Sequence, residues 1–518
     1  VPARAQNTLA DPAPNDETSF TLEVIDAQAF RPVKLPGLLR NPTSDFGSEY
    51  LRTGVFADGA SVLVIRAQPL NNIPYDLTFS VAYVPDPAVG TLFPQTTQYV
   101  GSVWPVPLPG TPYPFPFTLP APDQGQGSTS QTVLAGSPKL VYYCPPNNFL
   151  FGRQGGQQLQ VVVTGGGQQQ TASLNLVRPS IFLIHGVTSK PEFMYDMGNA
   201  LFARGVATTQ NGRAIQVRYL DWSDISVAGY DVVPARLRPF PPAPKSANIQ
   251  TELDSNRAQK IAATRLDFVG HSMGAVILKW YSLDISVANQ PRRNQFPNIN
   301  WNSPGFMYRN RRDKNFGVGD IRRLVSVGSP FQGSIIADHI SNTLRHAKAL
   351  VRLGQVLGAI PTDIDAVDDL GTQSQGTNIL SHNPANVSWF PVVGYGTPLT
   401  EEALFKGKKL EYDLLRVLRK RPSDLKAPPP NYLQPENSDF VVDCWSQMDR
   451  LPLGVAPAKR GWVSDVTHLT EMEDGVHQAP MFPPLHVAHF IELALDLFFD
   501  NPQDNNYTPG YTNFNPSF

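Results

Sequence analysis

The sequence predicts an all-β, immunoglobulin-like sandwich followed by an α/β domain, a mostly parallel sheet with helices on both faces. Three observations lead there. Up to Val177 the apolar residues come in short strand-like runs with no 3.6-residue period between them. From Arg178 onward, strand-like runs alternate with helical ones, the order that builds a parallel sheet with crossover helices. One five-residue turn, Gly270-His271-Ser272-Met273-Gly274, stands between such a strand and such a helix.

In the first region, Phe20, Leu22 and Val24 alternate with Ser19, Thr21 and Glu23, the period of a half-buried strand. Ser61 to Ala67 and Leu77 to Val84 are further runs bounded by Gly, Asn and Pro. Leu159 to Thr164 and Ala172 to Val177 flank Gly165-Gly166-Gly167, which predicts a hairpin with a loose tip. Between Trp104 and Pro122, alternating prolines block both helix and central strand. That stretch reads as a long loop packed on its own sandwich or as an aromatic arm that binds a polymer or surface.

In the second region, Ile181 to Ile184 predicts a strand, Phe193 to Phe202 a helix and Ile215 to Tyr219 a strand. A Pro-rich excursion at Phe240 to Pro244 precedes a helix over Ile249 to Ala263 and a strand at Leu266 to Val269. Arg323 to Val327 and Val387 to Val393 continue the sheet, and Leu485 to Phe499 is the last clear helix. The predicted boundaries are a sandwich over 1–177, the α/β domain over 178–503 with a cap at about 335–386, and a polar tail over 504–518.

Composition limits the functions. In 518 residues, Lys+Arg 42 against Asp+Glu 44 leaves a formal charge of −2. Nucleic acid or an anionic membrane as main partner calls for a basic surface, which this balance argues against. Charged residues are 17% of the chain, against about 25% in an average soluble domain. With Pro 50 and many Gln, Asn and Thr, the composition suits a secreted or periplasmic protein with rigid loops. No apolar run approaches the roughly 20 residues of a membrane span, and Val1 to Gln6 lacks the regions of a signal peptide. Cys144 and Cys444 are too few for a disulfide scaffold or a four-cysteine zinc site, and their spacing does not say whether they meet.

The turn at residues 270–274 carries the chemistry. Leu266-Asp267-Phe268-Val269 leads into it and Ala275 to Trp280 leads out, the context of a G-x-S-x-G nucleophile elbow. The serine must take a strained conformation to project its oxygen, and both flanking glycines admit close backbone. The helix N-terminus that follows favours developing negative charge. The alternative is a glycine-rich strand-to-helix turn with a satisfied serine. Acyl transfer also needs two N–H donors for the oxyanion. Met273, after the nucleophile, supplies one; Val187, after the His185-Gly186 turn that ends Ile181 to Ile184, supplies the other. His185 and His271 read as turn residues rather than as the base.

His185-Gly186, Gly270-His271-Ser272-Met273-Gly274 and Gly328-Ser329-Pro330-Phe331-Gln332-Gly333-Ser334 together resemble bacterial lipases and esterases of the α/β-hydrolase fold. The resemblance covers Pro179 to Asp500 and leaves out the N-terminal β region. It implies a Ser, acid, His order along the chain. Asn437-Ser438-Asp439-Phe440-Val441-Val442 looks like the lipase motif in which an Asp precedes an apolar pair. Asp439 is the expected acid and Asp443 its nearest rival.

Of the histidines after the acid, His486 and His489 fall within the last apolar-periodic helix and read as structural. His477, in a loop ahead of that helix, is the expected base. His468, at the end of a possible strand Trp462 to Thr467, is the second choice. The apolar spacing in Ile335 to Ile360 fits either a lid or an ordinary cap helix.

The implied activity is hydrolysis of carboxylic esters, of lipid or polyester type, through a Ser-His-Asp triad and an acyl-enzyme. It needs no metal or organic cofactor, and its implied partner is a small or polymeric ester. An acyltransferase or amidase would use the same triad. The reading of another class is a binding or adhesion protein whose hydrolase domain has lost activity.

Overall fold

The computed structural model describes residues 20–30, 47–68, 73–84, 100–105, 128–147, 156–187, 189–201, 216–223, 248–283, 318–334 and 387–395, with shorter pieces at 315, 337–338, 368–372, 374, 377, 380, 442, 444–447, 461–464, 491 and 495. The chain divides into two compact units. The first holds residues 1–148, 157–177 and 258–262; the second holds 149–156, 178–257 and 263–518.

In the first unit, β1 (Thr21–Asp26), β3 (Leu63–Gln68), β7 (Leu140–Cys144) and β5 (Ser102–Pro105) form an antiparallel sheet in the order β1-β3-β7-β5. The alternation predicted around Phe20 to Val24 fades within β1, where Val24, Ile25 and Asp26 are all buried. Asp26 is tolerated there because Arg52, equally buried, pairs with it at 2.9 Å. A second sheet contains β2 (Gly54–Phe56), β4 (Leu77–Tyr83), β6 (Ser130–Val133), β8 (Gly156–Gly165) and β9 (Gln168–Val177).

The tip between β8 and β9 is tight rather than loose. Gly166 and Gly167 have φ of 56° and 76°, the two positive values a two-residue hairpin turn of right-handed twist demands. A Cβ on Gly166 would lie 2.3 Å from the Tyr75 ring. Cys144 is a free thiol.

The second unit begins with β10 (Ile181–Ile184), a 3-10 turn at Pro191–Met194, α1 (Tyr195–Leu201) and β11 (Val217–Leu220). Then comes α2 (Ile249–Ala258), opened by a reciprocal cap: Thr251 N donates to Asn248 Oδ1 and Asn248 N to Thr251 Oγ1, each at 3.0 Å. The helix predicted to reach Ala263 stops at Ala258. Lys260 turns to φ 62°, and its carbonyl accepts from Thr53 N and Gly54 N. Ile261–Ala262 then forms β12, which pairs parallel with β2 in the first unit's sheet, order β12-β2-β9-β8-β4-β6.

The remaining elements are β13 (Leu266–His271), α3 (Met273–Ser282), β14 (Ile321–Val327), β15 (Ser388–Tyr395), α4 (Cys444–Gln447) and β16 (Gly461–Ser464). Six strands, in the order β11-β10-β13-β14-β15-β16, make a sheet in which every recorded pairing is parallel. Ile181, Leu183, Val269, Val325, Val327 and Val392 share one core with Met194, Met197 and Leu201 around α1 and with Ile491 and Leu495. Phe182 and Phe268, of opposite parity, stack at 5.6 Å between centroids. α3 is buried along its whole length and packs on β13 and β14. No helix among the described residues is long and apolar enough to cross a membrane.

Two buried polar ties secure the amino-terminal end of this sheet. Glu252 of α2 accepts from Ser180 Oγ at 2.6 Å, Arg218 Nε at 2.8 Å and Asn256 Nδ2 at 3.0 Å. Between β13 and β14 the register slips: Leu266 faces Ile321 but Asp267 faces Arg323. The extra residue is Arg322, and the bulge lets its guanidinium bond both oxygens of Asp267, with Nε 2.7 Å from Oδ1. Both side chains are essentially fully buried.

A pair this dry is costly to break. Arg322→Met, which strands the carboxylate, is expected to lower unfolding stability by about 3–5 kcal/mol in urea titrations. Asp267→Leu together with Arg322→Met should cost less than either single change. Single variants within about 1 kcal/mol of wild type would refute the burial argument.

Candidate active site

The parallel order starts at β10, moves outward to β11, and returns to the other side of β10 at β13. That reversal makes the carboxyl ends of β10 and β13 the topological switch point, where open parallel sheets present a crevice. Ile184 and Gly270 are paired across it. His185-Gly186 follows the first strand and Ser272 follows the second.

Ser272 has φ 53° and ψ −129°. A non-glycine residue in this region costs about 1–3 kcal/mol and persists only where its surroundings enforce it. They do. Its N–H donates to the Val327 carbonyl at 2.9 Å, and Met273 starts α3 at once. Ser272 is the N-cap of α3, yet its hydroxyl makes no capping bond, so the oxygen is not committed to the helix it precedes. The residue is 7% exposed.

The glycines explain how the turn closes. A Cβ on Gly270 would sit 2.5 Å from both Cα and N of Ala275; one on Gly274 would sit 2.5 Å from the Ile184 carbonyl oxygen. These are backbone obstacles that cannot swing aside. A Cβ on Gly186 would meet Ser272 Cβ at 2.8 Å and Oγ at 3.2 Å. The His185-Gly186 turn therefore runs alongside the serine hydroxyl, with Val187 next in the chain. Met273 N–H belongs to the first turn of α3, where no intrahelical acceptor exists.

His271 is 3% exposed, and its ring leans on Phe193 at 5.2 Å. His185 is fully buried and lies flat on Trp222, centroids 5.2 Å apart and planes 13° from parallel. Trp222 Nε1 donates to the His185 carbonyl at 3.1 Å. His185 Nδ1 is 2.9 Å from the Gly186 carbonyl. A carbonyl only accepts, so Nδ1 carries the proton. Nε2 is buried without a partner among the described residues. Burial holds the pKa of His185 below its ordinary 6.5, against the opposing influence of the Gly186 carbonyl, Asp221 and Glu192. The sequence alone singles out neither Trp222 nor its stacking on His185, since 37 residues separate the two.

The third segment of the resemblance follows β14. Gly328 takes φ 57°, and its N–H reaches the Val392 carbonyl. Gln332 N donates to Ser446 Oγ at 3.0 Å, and that hydroxyl donates to the Gly333 carbonyl at 2.6 Å. Gln447 bonds Gly394 in both directions and donates to Val442 O at 3.0 Å. These bonds bring Val442 and α4 to the carboxyl end of β15. Lys279 of α3, also buried, donates to Leu380 O at 2.9 Å and lies over the Phe331 ring.

Of the expected site residues, Ser272, Met273 and Val187 are brought to one sheet edge. Asp439, Asp443, His477, His468, His486 and His489 lie outside the described residues, as does most of the cap region 335–386. Among the described residues no group of three His, Cys, Asp or Glu is placed to hold a metal.

No protein-family model matches this chain, and no curated protein matches it. Among solved structures it is similar to a 2,6-sialyltransferase of Vibrionaceae Photobacterium sp. JT-ISH-224, with 10% identity, 87% of this chain and 94% of that one covered, and a TM-score of 0.14. It is also similar to a sialyltransferase from Photobacterium damsela, with 12% identity, 80% and 94% covered, and a TM-score of 0.15. Scores this low carry no argument about fold or activity.

The buried His185 has a consequence for acid stability. As pH falls through 6.5, the unfolded imidazole takes up a proton that the folded one resists. This group therefore removes no stability above that pH and a growing amount below it, until the folded ring also titrates. Between about pH 7.5 and about pH 5, His185→Asn should lose less urea midpoint than wild type. An equal loss in both would contradict the burial of a neutral imidazole.

Proposed function

We propose that the second unit is a serine hydrolase of α/β-hydrolase type that cleaves carboxylic esters of lipid or polyester kind. The observation that carries this reading is the conformation of Ser272: positive φ, hydroxyl uncapped, at the switch point of a parallel sheet.

Ser272 Oγ attacks the ester carbonyl carbon while His477, or His468 in its place, takes the hydroxyl proton. Asp439, with Asp443 as second choice, steadies the imidazolium that forms. The N–H groups of Met273 and Val187 receive the oxyanion. Collapse of the tetrahedral species breaks the C–O bond, and the histidine returns the proton to the leaving alcohol. Water then attacks the acyl-enzyme by the same route and frees the acid and Ser272.

Ser272→Ala is expected to leave the circular dichroism spectrum unchanged and to lower p-nitrophenyl ester hydrolysis by about 10³-fold or more. A fluorophosphonate probe should label wild type at Ser272 and leave the variant unlabelled. Undiminished hydrolysis by the variant would overturn the assignment. Acyl transfer to an added alcohol in preference to water would redirect it to an acyltransferase.

A further inference from the structure

We infer that His185 is a positioning residue for the oxyanion site: with Trp222 behind it, its Nδ1–H fixes the plane of the peptide whose N–H belongs to Val187. The inference deepens the serine hydrolase reading and rests on it.

The argument is geometric. The Gly186 carbonyl and the Val187 N–H are the two ends of one peptide group, which is planar and trans, so they point in opposite directions. Holding the carbonyl oxygen at 2.9 Å from His185 Nδ1 therefore turns the N–H away from the imidazole. Glycine at 186 gives the flanking backbone wide rotational freedom, so without a clamp this peptide has many orientations to choose from. The preceding peptide is held as well. Trp222 Nε1 donates to the His185 carbonyl at 3.1 Å, while the indole stacks on the imidazole and prevents the ring from swinging.

Both peptides meet at Gly186, which passes beside Ser272. His185 and Trp222 are fully buried, so neither meets substrate and both act through the backbone. The buried Nε2 without a described partner is consistent with this division of labour: one ring nitrogen holds the clamp, and the other makes no bond that would compete with it.

An oxyanion donor acts mainly in the transition state, so its loss appears in kcat rather than KM; removing one outright costs about 10²–10³-fold. Loss of the clamp should reorient the donor rather than remove it. For p-nitrophenyl butyrate, His185→Phe keeps an aromatic ring against Trp222 but has no donor, and kcat should fall about 10- to 100-fold with KM within about twofold. His185→Asn, whose amide N–H offers a donor near the Nδ1 position, should recover about half or more of the lost logarithm of kcat. Trp222→Phe, which keeps a stacked ring and loses the bond to the His185 carbonyl, should fall between them.

Melting temperatures and fluorophosphonate labelling rates are read on every variant. A merely structural histidine would lower stability in His185→Phe without the kcat-specific loss or the amide rescue, and that result overturns the inference. If His185→Phe does not fold, the Trp222→Phe and His185→Asn values decide: wild-type kcat in Trp222→Phe together with a full loss in His185→Asn overturns it. Wild type that is neither labelled at Ser272 nor active on esters fails at the earlier step and takes the hydrolase reading down with the clamp. Wild type that is labelled and active, beside an undiminished His185→Phe, refutes the clamp alone.

Discussion

Where β10 and β13 end side by side, two main chains run closer together than side chains permit. The Ile184 carbonyl and the backbone of Gly274 leave no room for a Cβ, and the same is true between Gly270 and Ala275. That approach forces the chain to reverse within one residue, and the residue at the reversal is Ser272. Its positive φ is thus imposed by neighbours rather than chosen, which is how a folded protein sustains a conformation that a free serine would leave. The Val327 carbonyl, holding the Ser272 N–H, keeps the turn in register with β14 while the hydroxyl makes no capping bond.

The opposite end of the sheet supplies the rigidity this requires. Asp267 and Arg322 join β13 to β14 through a bulge, and Glu252 joins α2 to residues at the start of β10 and on β11. Charges buried as deeply as those of Asp267, Arg322 and Glu252 contribute little net stability over apolar side chains, but a mismatched register would leave them unpaired. They therefore discriminate against slipped pairings of these strands. The strands that bear the reactive turn are pinned at the end remote from it.

Much of this was legible from local pattern. The run Ile181 to Ile184 is apolar on both faces, as suits a strand buried within a parallel sheet, and both it and Leu266 to Val269, apolar but for Asp267, lie within observed strands. The glycines at 270 and 274 announced a tight turn because their spacing is local. Other features were invisible for the opposite reason. Ile261 and Ala262 looked like the end of a helix, because nothing within ten residues reveals that β2 waits to pair with them. Arg322 and Asp267 are 55 residues apart, and only a bulge makes them partners. The glycine tip at 165–167 looked loose because composition reports freedom, whereas the turn uses that freedom to reach one defined geometry.

By itself the chain's order of residues determined that the strand before residues 270–274 extends, that a helix follows it and which serine stands between them, since each depends on neighbours a few positions away. Only the tertiary structure decided that the His185-Gly186 turn lies against that serine, that Trp222 backs His185, and that strand order reverses between β10 and β13. Those juxtapositions join residues far apart along the chain. Their energies come from burial and pairing that exist only once the sheet has assembled, so no local pattern encodes them.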